Sequence, residues 1–172
     1  IENQIRSLDK TDYQVTLFDC AKVDSSHGIS YMAMSHFLLS LGFLSNWIGM
    51  MEFNLMLENK YDKFLATVKE QNAGKDWYDI RKKMSAVPAL KKAILTFMAE
   101  DEYEETRKLI DERIKTYDAT KLKEDLSLYL EHYPGKKIVF FIDEMSEALS
   151  QKKINLLDLE GLSEALSSLG NR

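Results

Sequence analysis

Apolar positions follow two distinct patterns along this chain. Between residues 13 and 20 they alternate: Tyr13, Val15 and Leu17 fall on one face and Phe18 and Cys20 on the other, the period of a β-strand. Ile138 to Ile142, after Lys136 and Lys137, form an unbroken apolar run, a length that predicts a strand buried on both faces. Between these two segments the spacing switches to steps of three and four residues. That spacing predicts helices over Ile29 to Leu44 and Trp47 to Asn72, joined near SNWIG, and over Pro88 to Ala99, where proline suits a first turn.

DEYEETRKLIDERIKTYD reads as a solvent-facing helix with its apolar stripe at Tyr103, Ile110, Ile114 and Tyr117. Its i,i+4 pairs Glu104–Lys108 and Asp111–Lys115 are expected to add a few tenths of a kcal/mol each, on the order of 0.3. TKLKEDLSLYLEHY continues helically until Pro134 and Gly135 stop it. A last amphipathic stripe runs through Leu156, Leu159, Leu162, Leu166 and Leu169, with Gly170 placed as its C-cap. Asp24, Ser25 or Ser26, in the turn cluster DSSHG, is placed to cap the helix that follows.

Two strands separated by helices favour parallel pairing through a crossover. The expected fold is therefore α/β and predominantly helical: a small parallel sheet, with strands near 13–20 and 137–142, carries a large helical insertion. One domain over 1–172 is expected, divided into a strand and turn (1–27), a helical block (28–133) and a second strand with its helix (134–172). Nothing in the length of 172 residues or the 45% apolar content asks for two domains.

Charge and polarity narrow the function classes. A formal net charge of −5 with interspersed signs argues against a dedicated nucleic-acid surface. Gly28 to Met51 contains no charged residue, but Ser30, Ser35, His36, Ser40, Ser45 and Asn46 interrupt it. That frequency of polar groups predicts a buried helix rather than a membrane span. One cysteine excludes an internal disulfide and suits the reducing cytoplasm. The histidines at 27, 36 and 132 lack zinc-ligand spacing. His27 is expected exposed, His36 hydrogen-bonded in the core, and Cys20 a buried structural thiol; no G-x-S-x-G elbow accompanies them. The methionines at 32, 34, 50, 51 and 56 are expected to fill gaps in the core.

The chemistry-bearing feature is the end of the second strand. Asp143 and Glu144 emerge where an interior parallel strand terminates, the place where open α/β sheets collect ligands. One carboxylate at such a point suits a magnesium ion that keeps part of its water shell. The next residue, pointing differently, suits orientation or deprotonation of an attacking water. The competing reading is helix capping: an acid after a strand makes a good N-cap and favours the helix dipole. Asp19, at the end of the first strand, stands where it would face the same crevice.

The stretch IVFFIDE resembles the Walker B strand of P-loop ATPases of the additional-strand class, which includes AAA+ proteins. YQVTLFDCAKVDSSHG is similar to the strand after the phosphate-loop helix of that family, and NLLDLEGLSEALSSLG to the helix before its sensor strand. The large helical block, with aromatic-flanked helices around Trp47 and Trp77, is similar in texture to the large ATPases of bacteriophage exclusion (BREX) defence systems. The resemblance implies a partial P-loop fold, Asp143 as the magnesium ligand, Glu144 as the catalytic residue, and Mg²⁺ and ATP as cofactors of a longer parent.

The chain departs from the family at the phosphate loop. Of its seven glycines, only Gly74 and Gly135 precede a lysine, and neither is followed by Ser or Thr in a G-x-x-x-x-G-K-[ST] frame. The sequence also starts at Ile1 rather than methionine. An internal segment of a longer polypeptide is therefore expected, inactive alone, with neither Mg²⁺ nor ATP bound. Its expected partners are the remainder of its own polypeptide and, through an unpaired apolar strand edge, further copies of itself. The alternative reading is a non-catalytic helical interaction module.

Overall fold

In a computed structural model, which describes residues 12–22 and 27–169, strands β1 (Tyr13–Asp19) and β2 (Lys137–Asp143) pair in parallel. The register sets Tyr13 opposite Lys137 and Asp19 opposite Asp143. A 3₁₀ turn (Cys20–Lys22) follows β1. The helices are α1 (Gly28–Ser40), α2 (Trp47–Leu57), α3 (Tyr61–Gln71), α4 (Trp77–Ile80), α5 (Ala86–Ile94), α6 (Glu100–Lys115), α7 (Ala119–His132), α8 (Met145–Ser150) and α9 (Leu156–Leu169). The expected small parallel sheet with a large helical insertion is thus present. The expected caps at Asp24, Ser25, Ser26 and Gly170 lie outside the described residues.

The contacts divide the chain into two compact units, Ile1–Ser45 with Ile114–Arg172, and Asn46–Arg113. In the first, α1 packs on β1, and α7 and α9 pack on α1. Phe37 meets Tyr129 edge-on at 5.1 Å and lies 6.4 Å from Phe140. Thr16, Phe18, Leu38, Leu126 and Leu162 complete this core. Each of the large apolar side chains among them contributes roughly 1.5–3 kcal/mol by leaving water. The buried Asp125 carboxylate accepts from the Tyr117 hydroxyl at 2.6 Å, which offsets its desolvation.

In the second unit α3 packs against α2, α4 and α5 around Phe53, Phe64, Trp77 and Leu90. Its centre is ionic. Glu52, fully buried, accepts through Oε1 from Trp77 Nε1 at 2.8 Å, the Tyr61 hydroxyl at 2.9 Å and Arg81 at 3.0 Å. The sequence signal for this network was a lone acid within the apolar helix WIGMMEFNLML, which the hydrophobic pattern alone passes over.

Several expectations need correction. The helix predicted from Trp47 to Asn72 is two helices, because Asn59 takes a left-handed conformation (φ 57°) and Lys60 N–H returns to the Leu55 carbonyl at 2.8 Å. Asparagine enters that region more readily than most residues. The uncharged stretch before it also breaks, at Gly42 (φ 82°), and no helix of the described residues is long and apolar enough to cross a membrane. Strand β2 is not buried on both faces: none of its residues is fully buried, and Phe141 is 41% exposed. Val15 and Leu17 on β1 share that open face, because the described helices cover the Thr16–Phe18–Phe140 side.

On α6, Glu104 pairs with Lys91 and Asp111 with Arg107, in place of the expected i,i+4 partners. In the stripe of α9, Leu156 is exposed, and Ala165 joins Leu162 and Leu169 among the buried residues.

Candidate functional site

The carboxyl ends of both strands meet at one edge of the first unit. Parallel pairing in this register brings Asp19 and Asp143 opposite each other, although 123 residues separate them in the sequence (143 less 19, less one). The two acids are used differently. Asp19 Oδ1 accepts the Ala21 N–H at 2.8 Å and Oδ2 pairs with Lys22 Nζ at 3.0 Å. The Lys22 hydrogen bond, with the Ala21 amide and the charges of Lys22 and Lys153, holds the Asp19 carboxyl below its usual range against a smaller opposing effect of burial. Asp19 therefore closes the 3₁₀ turn.

Asp143 and Glu144 are exposed. Asp143 Oδ1 accepts the N–H of its neighbour Glu144 at 2.9 Å. Glu144 occupies the N-cap position of α8, with a left-handed backbone (φ 55°, ψ 29°) and no side-chain capping bond. Neither acid therefore caps the helix in the way the competing reading requires, where a side-chain oxygen takes the N–H of the second or third helical residue. A left-handed glutamate costs about 1–2 kcal/mol, and here no capping bond of the same side chain offsets it.

Short as it is, α8 is fixed in place. Ala148 and Ile154 are fully or almost fully buried, and α8 packs against the 3₁₀ turn after β1. Lys153 Nζ donates to the Ala21 carbonyl, tying the end of the α8 segment to the same turn. Lys152, left-handed at φ 56°, lets Lys153 N–H return to the Ala148 carbonyl at 3.0 Å and ends the helix. The backbone beneath Asp143 and Glu144 is thus held from three sides: the β1 ladder, the α8 contact and the Lys153 tie.

The chemistry open to this pair is that of two solvated carboxylates on adjacent, differently directed positions. No group of three or more His, Cys, Asp or Glu placed to hold a metal occurs among the described residues. Magnesium does not require such a cage, since it retains waters and takes one or two protein carboxylates. The donor set therefore fits a magnesium ion held mainly through its own waters. It does not by itself fit a triphosphate, because the sequence carries no phosphate-binding loop.

The remaining candidates resolve into structural roles. His27 is exposed and lies 5.2 Å from the Tyr31 ring. His36 stacks on Phe18 at 5.5 Å; burial lowers its pKa, against a smaller raising effect from a hydrogen bond to the Leu17 backbone. Cys20 is fully buried, and burial with the nearby Asp19 charge pushes its thiol up to about 11. Met34, Met50 and Met51 are core residues.

A feature the sequence did not announce lies at the other end of β2. A groove of about 840 Å³ runs beside its amino-terminal half, lined by Leu126, Leu130, Leu166 and Leu169 together with Ile138 and Phe140. It is mainly apolar and does not include Asp143 or Glu144. Comparison with protein-family models, curated proteins and solved structures returned no match for this chain.

Proposed function

We propose that this chain is a segment of an ATP-hydrolysing P-loop ATPase, in which Asp143 binds magnesium through its waters and Glu144 positions and deprotonates the attacking water. The observation that carries the reading is the strained, uncapped Glu144 beside an exposed Asp143, at the carboxyl end of a strand in a parallel pair. Parallel pairing of β1 with β2 agrees with the strand order that the Walker B resemblance implies. A bound magnesium ion would supply charge neutralisation to a phosphoryl group; the chain's own contribution is to hold two acids apart on a fixed backbone. The phosphate grip comes from another part of the polypeptide, so the isolated chain is inactive.

The large helical insertion and the aromatic-flanked helices at Trp47 and Trp77 favour a parent of the bacteriophage-exclusion type, acting in the cytoplasm. The second reading, a non-catalytic interaction module, draws on the apolar groove beside β2. The two separate in the longer polypeptide that the first requires. There, Glu144→Gln retains ATP binding and lowers hydrolysis by about a hundredfold or more. Unchanged hydrolysis in that variant overturns the catalytic reading.

A further inference from the structure

Strand β2 can pair with itself. Among the described residues the sheet has two strands, so one long edge of β2 has no strand beside it. Lys137 N–H donates to the Asp12 carbonyl at 2.8 Å, which turns the backbone of Lys137 toward β1. Backbone direction alternates along a strand, so Val139 and Phe141 also face β1, and Ile138, Phe140 and Ile142 present their N–H and C=O groups outward. An edge of this kind is a template for another strand.

The sequence of the strand, KIVFFID, fits its own reverse. Place a second copy antiparallel, with the two-fold axis at Phe140. Ile138 then meets Ile142 of the second copy, and Phe140 meets its own equivalent. These are the residues with outward backbone groups, so they fall on the hydrogen-bonded positions of an antiparallel ladder. Val139 meets Phe141 of the second copy at the alternate positions, where side chains approach more closely. At both ends Lys137 faces Asp143 of the second copy. Both side chains belong to exposed residues, and each end of the pairing matches a cation with an anion.

The surroundings suit this partner. The side chains of Ile138 and Phe140 lie on the face that lines the apolar groove with Leu126, Leu130, Leu166 and Leu169. The Ile142 and Phe140 side chains of an antiparallel second copy would lie on that same face and extend the apolar surface over the groove. No lysine or proline interrupts the run from Ile138 to Ile142, so within that run two of the usual guards of an exposed edge are absent.

We propose that this 172-residue chain forms a two-fold dimer in which the β2 strands pair antiparallel, Lys137 opposite Asp143, giving one continuous sheet across the two copies. The occupant of the edge is a second copy of this chain, selected by the self-complementary charge and apolar order of the strand. The inference is drawn from the strand edge and not from the magnesium chemistry, and it meets the nucleotide reading at one residue, Asp143, which it places opposite Lys137 of the second copy.

Sedimentation equilibrium across a concentration series tests it with charge swaps on these two exposed residues. Wild type moves with concentration from the 19.9 kDa monomer toward twice that mass and no further. Lys137→Asp and Asp143→Lys, each placing like charges opposite at both ends, weaken association by about tenfold or more. The double swap K137D/D143K restores association to within about threefold of wild type, because opposite charges again meet. Circular dichroism of each variant confirms that the fold is kept. A monomer at every concentration, single swaps that associate as wild type does, or a double swap no better than the singles overturns the proposal.

Discussion

Asp19 and Asp143 stand directly opposite each other at the ends of β1 and β2, yet only Asp19 is committed to its surroundings. The pairing with Lys22 and the Ala21 amide makes Asp19 part of the turn. Asp143 reaches only its neighbour's amide and remains exposed. One end of the sheet therefore holds a structural acid and a displayed one, and Glu144 beyond them is displayed at a conformational cost.

That cost is measurable. Asparagine tolerates the left-handed region better than glutamate does, so Glu144→Asn is expected to raise unfolding stability by about 1 kcal/mol. Glu144→Gln keeps the same backbone penalty and changes stability by less than about 0.5 kcal/mol, the range of ordinary surface substitutions. Urea unfolding compares the three proteins. A clear loss in Glu144→Asn would show that the glutamate side chain supports the fold.

The second unit is predicted to depend on Glu52. Glu52→Ala removes the shared acceptor of Trp77 and of Arg81, whose side chain is only 10% exposed, and strands a buried guanidinium. The expected loss is about 3–5 kcal/mol. Trp77→Phe removes one donor to a charged acceptor along with some ring volume, for about 2 kcal/mol. Urea unfolding followed by circular dichroism reads both; a loss under about 1 kcal/mol in Glu52→Ala contradicts the network's assigned role.

Cys20 gives the chain an alkaline weakness. Its folded thiol titrates near 11 against an ordinary value of 9.0, so the folded state holds the proton more tightly. The associated stability is complete below pH 9 and is lost as pH rises from 9.0 through about 11. Wild type should lose up to roughly 2 kcal/mol relative to Cys20→Ala over that interval. Tyrosines with raised pKa values, such as Tyr61 and Tyr129, are present in both proteins, so their effects cancel in the comparison. A difference between the two proteins that is flat with pH contradicts the burial assigned to the thiol.

Isolated, the chain should release no phosphate from ATP in the presence of Mg²⁺. Malachite-green detection against a protein-free blank is sufficient. Metal-dependent release that disappears in Glu144→Gln would mean that a phosphate grip exists within these 172 residues.

Alternation at 13–17 and the apolar run at 138–142 made both strands legible, and helices between them favoured the parallel pairing that is observed. The stop at Pro134–Gly135 was also legible. The break at Asn59 was not, because left-handed closure by asparagine leaves the apolar spacing of the flanking helices in phase. Positions of Asp143 and Glu144 at a strand end followed from the run before them. Their difference from Asp19 did not, since it depends on Lys22 and Ala21 in a 3₁₀ turn that period and composition do not reveal. The open face of Val15, Leu17 and Phe141 was hidden for a related reason: a strand's own sequence specifies apolar faces, not which of them a helix covers.

The acid pair as a divalent-cation site is tested most directly by titrating the ¹⁵N-labelled chain with Mn²⁺ and following paramagnetic broadening of its amide resonances. The account predicts broadening centred on Asp143 and Glu144 and reaching the facing turn at Asp19–Lys22, abolished by Asp143→Asn and retained in Glu144→Gln. Broadening that settles instead on the acidic first turn of α6, or that survives Asp143→Asn unchanged, contradicts it.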